Sequence, residues 1–185
     1  MISLRHATLD DKRKSYEWLC LSDTTSSHMG APDYPENPIF TWEEFQEAFE
    51  DFYYTEEQKE QGAVMIAKHN DEEIGCLCYA CFHLQPNSAE LDIWFKSESV
   101  CGKGYGSKAL KELIDYLHST LNIKKFIIRP SEKNIRAVKS YEKAGFTRVT
   151  DKAATIKEYF KEEYFKEHGS GDYGYENTAV LILEK

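Results

Sequence analysis

The chain has 185 residues and is expected to fold as one mixed α/β domain, with a largely antiparallel sheet flanked by helices. Three observations predict this. Residues 63–69 and 73–84 carry strand-like patterns on either side of His69-Asn70-Asp71-Glu72, which reads as a hairpin, and residues 89–95 alternate in the same way. Leu110, Leu113, Ile114 and Leu117 recur at i, i+3, i+4 and i+7, the period of an amphipathic helix. Between that last strand and that helix lies Gly102-Lys103-Gly104-Tyr105-Gly106, so the order is strand, glycine turn, helix.

Taken in order, residues 2–8 alternate as a short strand. Thr8-x-x-Asp11 then reads as a capping box opening a helix to about Leu21, with Tyr16, Leu19 and Cys20 inward. Residues 23–38 are rich in Pro, Ser, Thr and Asp and show no periodicity, as expected of a functional or disordered loop. Thr41-Trp42-Glu43-Glu44 is a second capping box, and Trp42, Phe45, Phe49 and Phe52 mark one face of its helix. In the strand over 73–84, Ile74, Cys76, Cys78, Ala80 and Phe82 face one way and Leu77, Tyr79 and Cys81 the other; two apolar faces suit a central strand. Asn87-Ser88 turns into the strand over 89–95. Residues 124–128 form the next strand, Asn134 caps a helix ending at Gly145, and another strand starts at Phe146. Ile156, Tyr159, Phe160 and Tyr164 mark a helix over 155–168, and residues 177–183 close the chain as a strand.

The glycine turn carries the chemistry. Backbone N–H groups at a helix N-terminus converge on anions, and glycine lets a phosphate approach the main chain. The spacing G-x-G-x-G matches neither the P-loop nor the G-x-G-x-x-G dinucleotide fingerprint. A second stretch, from Asn134 through Ala137, Tyr141 and Gly145 to Phe146, reads N-x-x-A-x-x-x-Y-x-x-x-G-F. Together, in this order, the two stretches resemble the GNAT (GCN5-related) N-acetyltransferase superfamily, whose phosphate loop reads Q/R-x-x-G-x-G/A. Cys101 stands where that family has Gln or Arg.

The resemblance implies a sheet splayed between two strands beside the phosphate loop, acetyl-CoA as co-substrate, and direct transfer of its acetyl group to an amine. The implied cofactor-binding residues are Cys101, Gly102, Lys103, Gly104, Gly106 and Ser107 in the loop, Trp94 and Phe95 on the strand before it, and Asn134 and Tyr141 in the second motif. Tyr141 matches the general acid that protonates the departing thiolate, and Glu90 looks like the glutamate base of the histone-acetyltransferase branch. Strand alternation puts Glu90 and Asp92 on one face, where two carboxylates are expected to raise one another's pKa toward a useful range. Arg129-Pro130-Ser131-Glu132-Lys133-Asn134 is similar to the D-P-S-x-x-N run of aminoglycoside 6′-N-acetyltransferases, with Arg129 in place of the aspartate. The expected acceptor is a small cationic amine, with aminoglycoside-like amines among the candidates; a peptide or protein amine, or a non-catalytic CoA-binding regulator on the same fold, are the alternatives.

Composition narrows the partners. The net charge is −9, yet residues 101–148 hold 11 Lys and Arg against 4 Asp and Glu, a net of +7, and the remaining 12 basic and 28 acidic residues net −16. A phosphate-bearing cofactor fits the first part and a cationic acceptor the second. Residues 23–61 contain 11 acidic residues and, of Lys and Arg, only Lys59. No basic face with interleaved aromatics argues for nucleic acid, and no run of 18 apolar residues argues for a membrane span. Cys76, Cys78, Cys81 and His83 lack paired C-x-x-C spacing and a second ligand cluster, so small core residues are expected there and no metal. Five cysteines without a disulfide framework, and an N-terminus unlike a signal peptide, point to a cytoplasmic monomer or homodimer.

Overall fold

The computed structural model describes residues 1–29 and 39–185; residues 30–38 of the expected loop lie outside the described residues. Seven strands form one sheet in the order β1 (Ile2–His6), β2 (Gly62–His69), β3 (Glu72–Ala80), β4 (Ser88–Phe95), β5 (Lys125–Ile128), β7 (Leu181–Glu184), β6 (Thr147–Arg148). Every pairing is antiparallel except β4 with β5. That parallel pair runs from Ser88↔Lys125 to Leu91↔Ile128, where β5 ends while β4 continues to Phe95. The sheet therefore parts beside Asp92–Phe95, and the site is built there.

Helix α4 (Tyr105–Leu121) crosses one face of the sheet. Leu110, Leu113, Ile114 and Leu117 are all buried against Leu77, Tyr79, Leu91 and Phe126. Each such side chain contributes about 1.5–3 kcal/mol when withdrawn from water. Helix α5 (Ile135–Ala144) joins this face through Val138, Tyr141 and Ala144. On the other face, α1 (Leu9–Cys20) packs Tyr16, Leu19 and Cys20 with Phe45, Val64, Ile66, Cys76 and Trp94. The α1 capping box forms, the Thr8 N–H donating to the Asp11 carboxylate at 2.9 Å.

Several elements depart from the sequence pattern. Ile74 packs with Leu77 and Tyr79 rather than with Cys76 and Cys78, because β3 bulges: Ala67 pairs with Gly75 and Lys68 with Glu73, leaving Ile74 as the extra residue. Helix α3 (Trp42–Ala48) stops before Phe49 and Phe52, and a 3₁₀ turn (Asp51–Tyr54) redirects the chain so that Tyr53 and Tyr54 are buried. The expected helix over 155–168 is broken into α6 (Lys152–Tyr159), a 3₁₀ turn (Glu162–Tyr164) and α7 (Phe165–His168). Phe160 is drawn into an extended conformation by a β-bridge to Leu84, and its burial there outweighs continuation of the helix. The last strand begins only at Leu181, since Thr178 bridges Ser131 and the Ala179 N–H donates to the Pro130 carbonyl. Among the described residues no helix is long and apolar enough to cross a membrane.

Candidate active site

A cavity of about 480 Å³ opens where the sheet parts, and both sequence motifs border it. Its floor is Ile93, Trp94 and Phe95 of β4; one wall is the phosphate loop, another the first turns of α5. Gly104 is the N-cap of α4, in the left-handed region at φ +78°, and no side chain caps that helix. Its first N–H groups are thus left for another partner. A Cβ at Gly102 or Gly104 would have nothing within 4 Å, so the loop is an open cradle. Gly106 has a different role: a Cβ there would lie 3.0 Å from Ser140 Oγ and 3.5 Å from the Phe95 ring, so glycine allows α4 to approach α5 and β4.

Cys101, Gly102, Gly104, Gly106 and Ser107 all border the cavity, as do Asn134 and Tyr141. Lys103 is exposed and does not. The indole of Trp94 is buried in the second core, its Nε1–H donating to the Ser15 carbonyl at 3.3 Å, so that ring is a packing element. Asn134 is engaged on both atoms of its amide: its Oδ1 accepts from the Ala137 N–H at 3.1 Å and one Nδ2–H donates to the Ser27 carbonyl at 2.9 Å, which leaves the second Nδ2–H. Cys101 is half-buried, and burial raises its thiol pKa.

The inner end of the cavity is formed by Tyr141, Trp94 and His28. Burial, with Asp92 and Tyr173 adding to it, raises the Tyr141 pKa well above the ordinary phenol value, so the hydroxyl keeps its proton. His28, in α2 (Thr25–His28), has Nε2 at 3.5 Å from Asp92 Oδ2. Its backbone carbonyl accepts from the Tyr173 hydroxyl at 2.6 Å. Asp172, on the loop before that tyrosine, is exposed at the surface but ringed by charge. Exposure limits the part that burial plays; the like charges of Glu90 and Asp92 raise its pKa, while Arg129 and His28 oppose them.

Glu90 departs from expectation. Its carboxylate is engaged not by a pairing with Asp92 but by Arg129 and His83, with Arg129 Nη2 at 3.1 Å and His83 Nε2 at 2.6 Å. Burial pushes the Glu90 carboxyl up, but Arg129 and His83 outweigh it and hold it at about 2. The side chain that replaces the aspartate of the D-P-S run thus neutralises the carboxylate expected to act as base.

No sequence motif marks His28, Asp172 or Tyr173. Asp172 and Tyr173 reach the site only because the loop after α7 folds back over the parted strands. Among the described residues no cluster of His, Cys, Asp and Glu could hold a metal ion, and the cysteines are free thiols.

Comparison with known proteins agrees with this geometry. Residues 2–147 match the acetyltransferase (GNAT) domain family. The aminoglycoside N(6′)-acetyltransferase type 1 of Klebsiella pneumoniae is 30% identical over 162 residues, which cover 80% of this chain and 74% of that protein. The spermine/spermidine N(1)-acetyltransferase of Bacillus subtilis is 39% identical over 56 residues, 30% of this chain and 37% of the relative. Among solved structures, aminoglycoside acetyltransferase AAC(6′)-Ib with coenzyme A superposes with a TM-score of 0.68 at 23% identity, over 100% of this chain and 95% of that one. Spermidine N-acetyltransferase of Vibrio cholerae, with CoA and spermine, gives 0.66 at 18% identity, over 99% and 95%. The chain belongs to the GNAT family of acetyltransferases.

Proposed function

We propose that this single-domain enzyme transfers the acetyl group of acetyl-CoA directly to a primary amine of a small polycationic acceptor of the aminoglycoside or polyamine kind. One observation carries the reading: an uncapped helix N-terminus and a parted sheet lead to Tyr141, and carboxylates of Asp92 and Asp172 gather beside that inner end. Relatives named for aminoglycosides and for spermine support the same acceptor class.

The residues present fit the cofactor. The free amides after Gly104 suit a pyrophosphate, with Cys101, Gly102, Gly106 and Ser107 shaping the loop; Lys139 and Lys143 of α5 add positive charge at the cavity. Asn134 holds α5 against α2 through Oδ1 and one Nδ2–H, and borders the cavity with its second Nδ2–H left for the pantetheine arm. Bound acetyl-CoA supplies an activated acyl carbon. Past Ile93, whose N–H already donates to Asp92 Oδ1 at 2.7 Å, the main chain of β4 toward Phe95, unpaired by β5, offers an N–H toward the thioester carbonyl, such a donor being worth about 2.7–4 kcal/mol in the transition state. Tyr141, kept protonated, is the donor to the leaving sulfur. Asp92 and Asp172 attract and orient the ammonium, whereas Glu90, paired with Arg129, keeps the wall in place. Free thiols and the use of acetyl-CoA suit a cytoplasmic enzyme.

Incubation with acetyl-CoA and a panel of kanamycin, spermidine, a neutral-tailed monoamine and an N-terminally free peptide tests this, with product mass as the readout. Acetylated kanamycin or spermidine is the expected product; acetylation of the peptide alone would overturn the acceptor class.

A further inference from the structure

We propose that His28 accepts the proton of the incoming ammonium, with Asp92 orienting its ring. This rests on the functional reading above and assigns the proton-transfer step of the same site to a residue that no motif marks.

The geometry is that of a histidine–carboxylate pair. His28 Nε2 faces Asp92 Oδ2 at 3.5 Å, and the ring borders the cavity together with Tyr141 and Trp94. The carboxylate selects the tautomer with the proton on Nε2 and leaves the Nδ1 lone pair to accept. Among the described residues Nδ1 makes no hydrogen bond to the protein. The ring is held from behind: the Trp94 ring lies 6.1 Å away, centroid to centroid, and the Tyr173 hydroxyl grips the His28 carbonyl. Charged and titratable groups face it from three elements: Asp92 on β4, Tyr141 on α5, Asp172 and Tyr173 on the loop after α7. Asp23, on its own segment, is turned away to the Glu98 N–H and the Ser97 hydroxyl. Burial alone would lower the His28 pKa; Asp92 and then Asp172 outweigh it and raise it, which makes the ring a stronger base than an ordinary imidazole. Glu90, held at about 2, is too weak a base for that work.

The protons balance. His28 takes one proton from the ammonium and releases it to solvent. The freed amine bonds to the acyl carbon as the carbon–sulfur bond breaks. Tyr141 protonates the leaving sulfur, and the second nitrogen proton restores Tyr141.

The test is the pH dependence of kcat/KM with the best amine of the panel, for the parent, His28→Gln, Asp92→Asn and the double variant. Glutamine preserves the backbone bond to Tyr173, so thermal unfolding should match the parent. His28→Gln is expected to lose about 10²–10⁴-fold in kcat near neutrality, with little change in KM. The loss should shrink at high pH, where free amine is abundant, and in kcat the double variant should be no worse than His28→Gln alone. A His28→Gln profile identical to the parent's would overturn the proposal, as would an Asp92→Asn loss in kcat far exceeding it. In parallel, the His28 ring followed by NMR should titrate at lower pH in Asp92→Asn; an unmoved titration overturns the pairing. A parent that acetylates no amine overturns the functional reading itself, while the NMR titration still reports on the pair.

Discussion

Arg129, the residue after β5, holds Glu90 on the adjacent parallel strand β4 through both carboxylate oxygens, and donates its Nη1–H to the His168 carbonyl at 2.7 Å. One guanidinium thus ties the sheet to the segment that carries Asp172 and Tyr173. Removing one partner of a buried ion pair leaves an uncompensated charge and costs about 3–5 kcal/mol. Arg129→Met is expected to unfold at correspondingly lower denaturant and to speed amide exchange over residues 165–173. Glu90→Leu/Arg129→Met should regain much of the stability but not the slow exchange, because the His168 tie is gone. Chemical denaturation and hydrogen exchange check both.

The same pair predicts an acid limb. The Glu90 pKa is lowered, to about 2, from the ordinary carboxylate range, so its contribution is complete above that range and fades as pH falls toward about 2. Melting temperature should therefore decline between about pH 5 and pH 3, and decline less in Glu90→Gln, which carries no titrating carboxyl. Parallel slopes in parent and variant would contradict the assignment.

The two loop glycines should fail differently. Gly104→Val strains a left-handed position and sets a branched side chain over the free amides, so affinity for CoA should drop at least about tenfold, some 1.4 kcal/mol, with small loss of stability beyond the strain. Gly106→Val instead drives α4 from Ser140 and Phe95, and should lower stability and affinity together. Calorimetry with CoA and thermal melts separate the cases.

Much of this fold is legible in the sequence because its signals are local. The apolar spacing of α4, the capping boxes at Thr8 and Thr41 and the Asn134 cap each depend on residues a few positions apart. The glycine turn into α4 and the helix that carries Tyr141 are legible for the same reason. What is not legible depends on distant pairing. The Ile74 bulge answers to β2, the break at Phe160 answers to Leu84, and the low pKa of Glu90 answers to Arg129, 39 positions away. His28, Asp92 and Asp172 come from three remote segments, and no spacing rule connects them.

Tyr141→Phe should lower kcat by about 10²–10⁴-fold while the Kd of acetyl-CoA stays near the parent value, since only the proton for the leaving sulfur is lost. Loss of affinity in step with kcat would instead make Tyr141 a packing residue. Steady-state kinetics alongside calorimetry distinguishes the two.

The most direct test of polycationic-amine acetylation beside Asp92 and Asp172 is acceptor-dependent release of CoA thiol, measured at saturating acetyl-CoA and two ionic strengths. Spermidine or kanamycin should give faster release than a monoamine. The advantage should lie in KM and shrink with added salt, because screening weakens attraction between exposed charges. Release that is independent of any amine, or equal for mono- and polycations at both salts, would contradict the account.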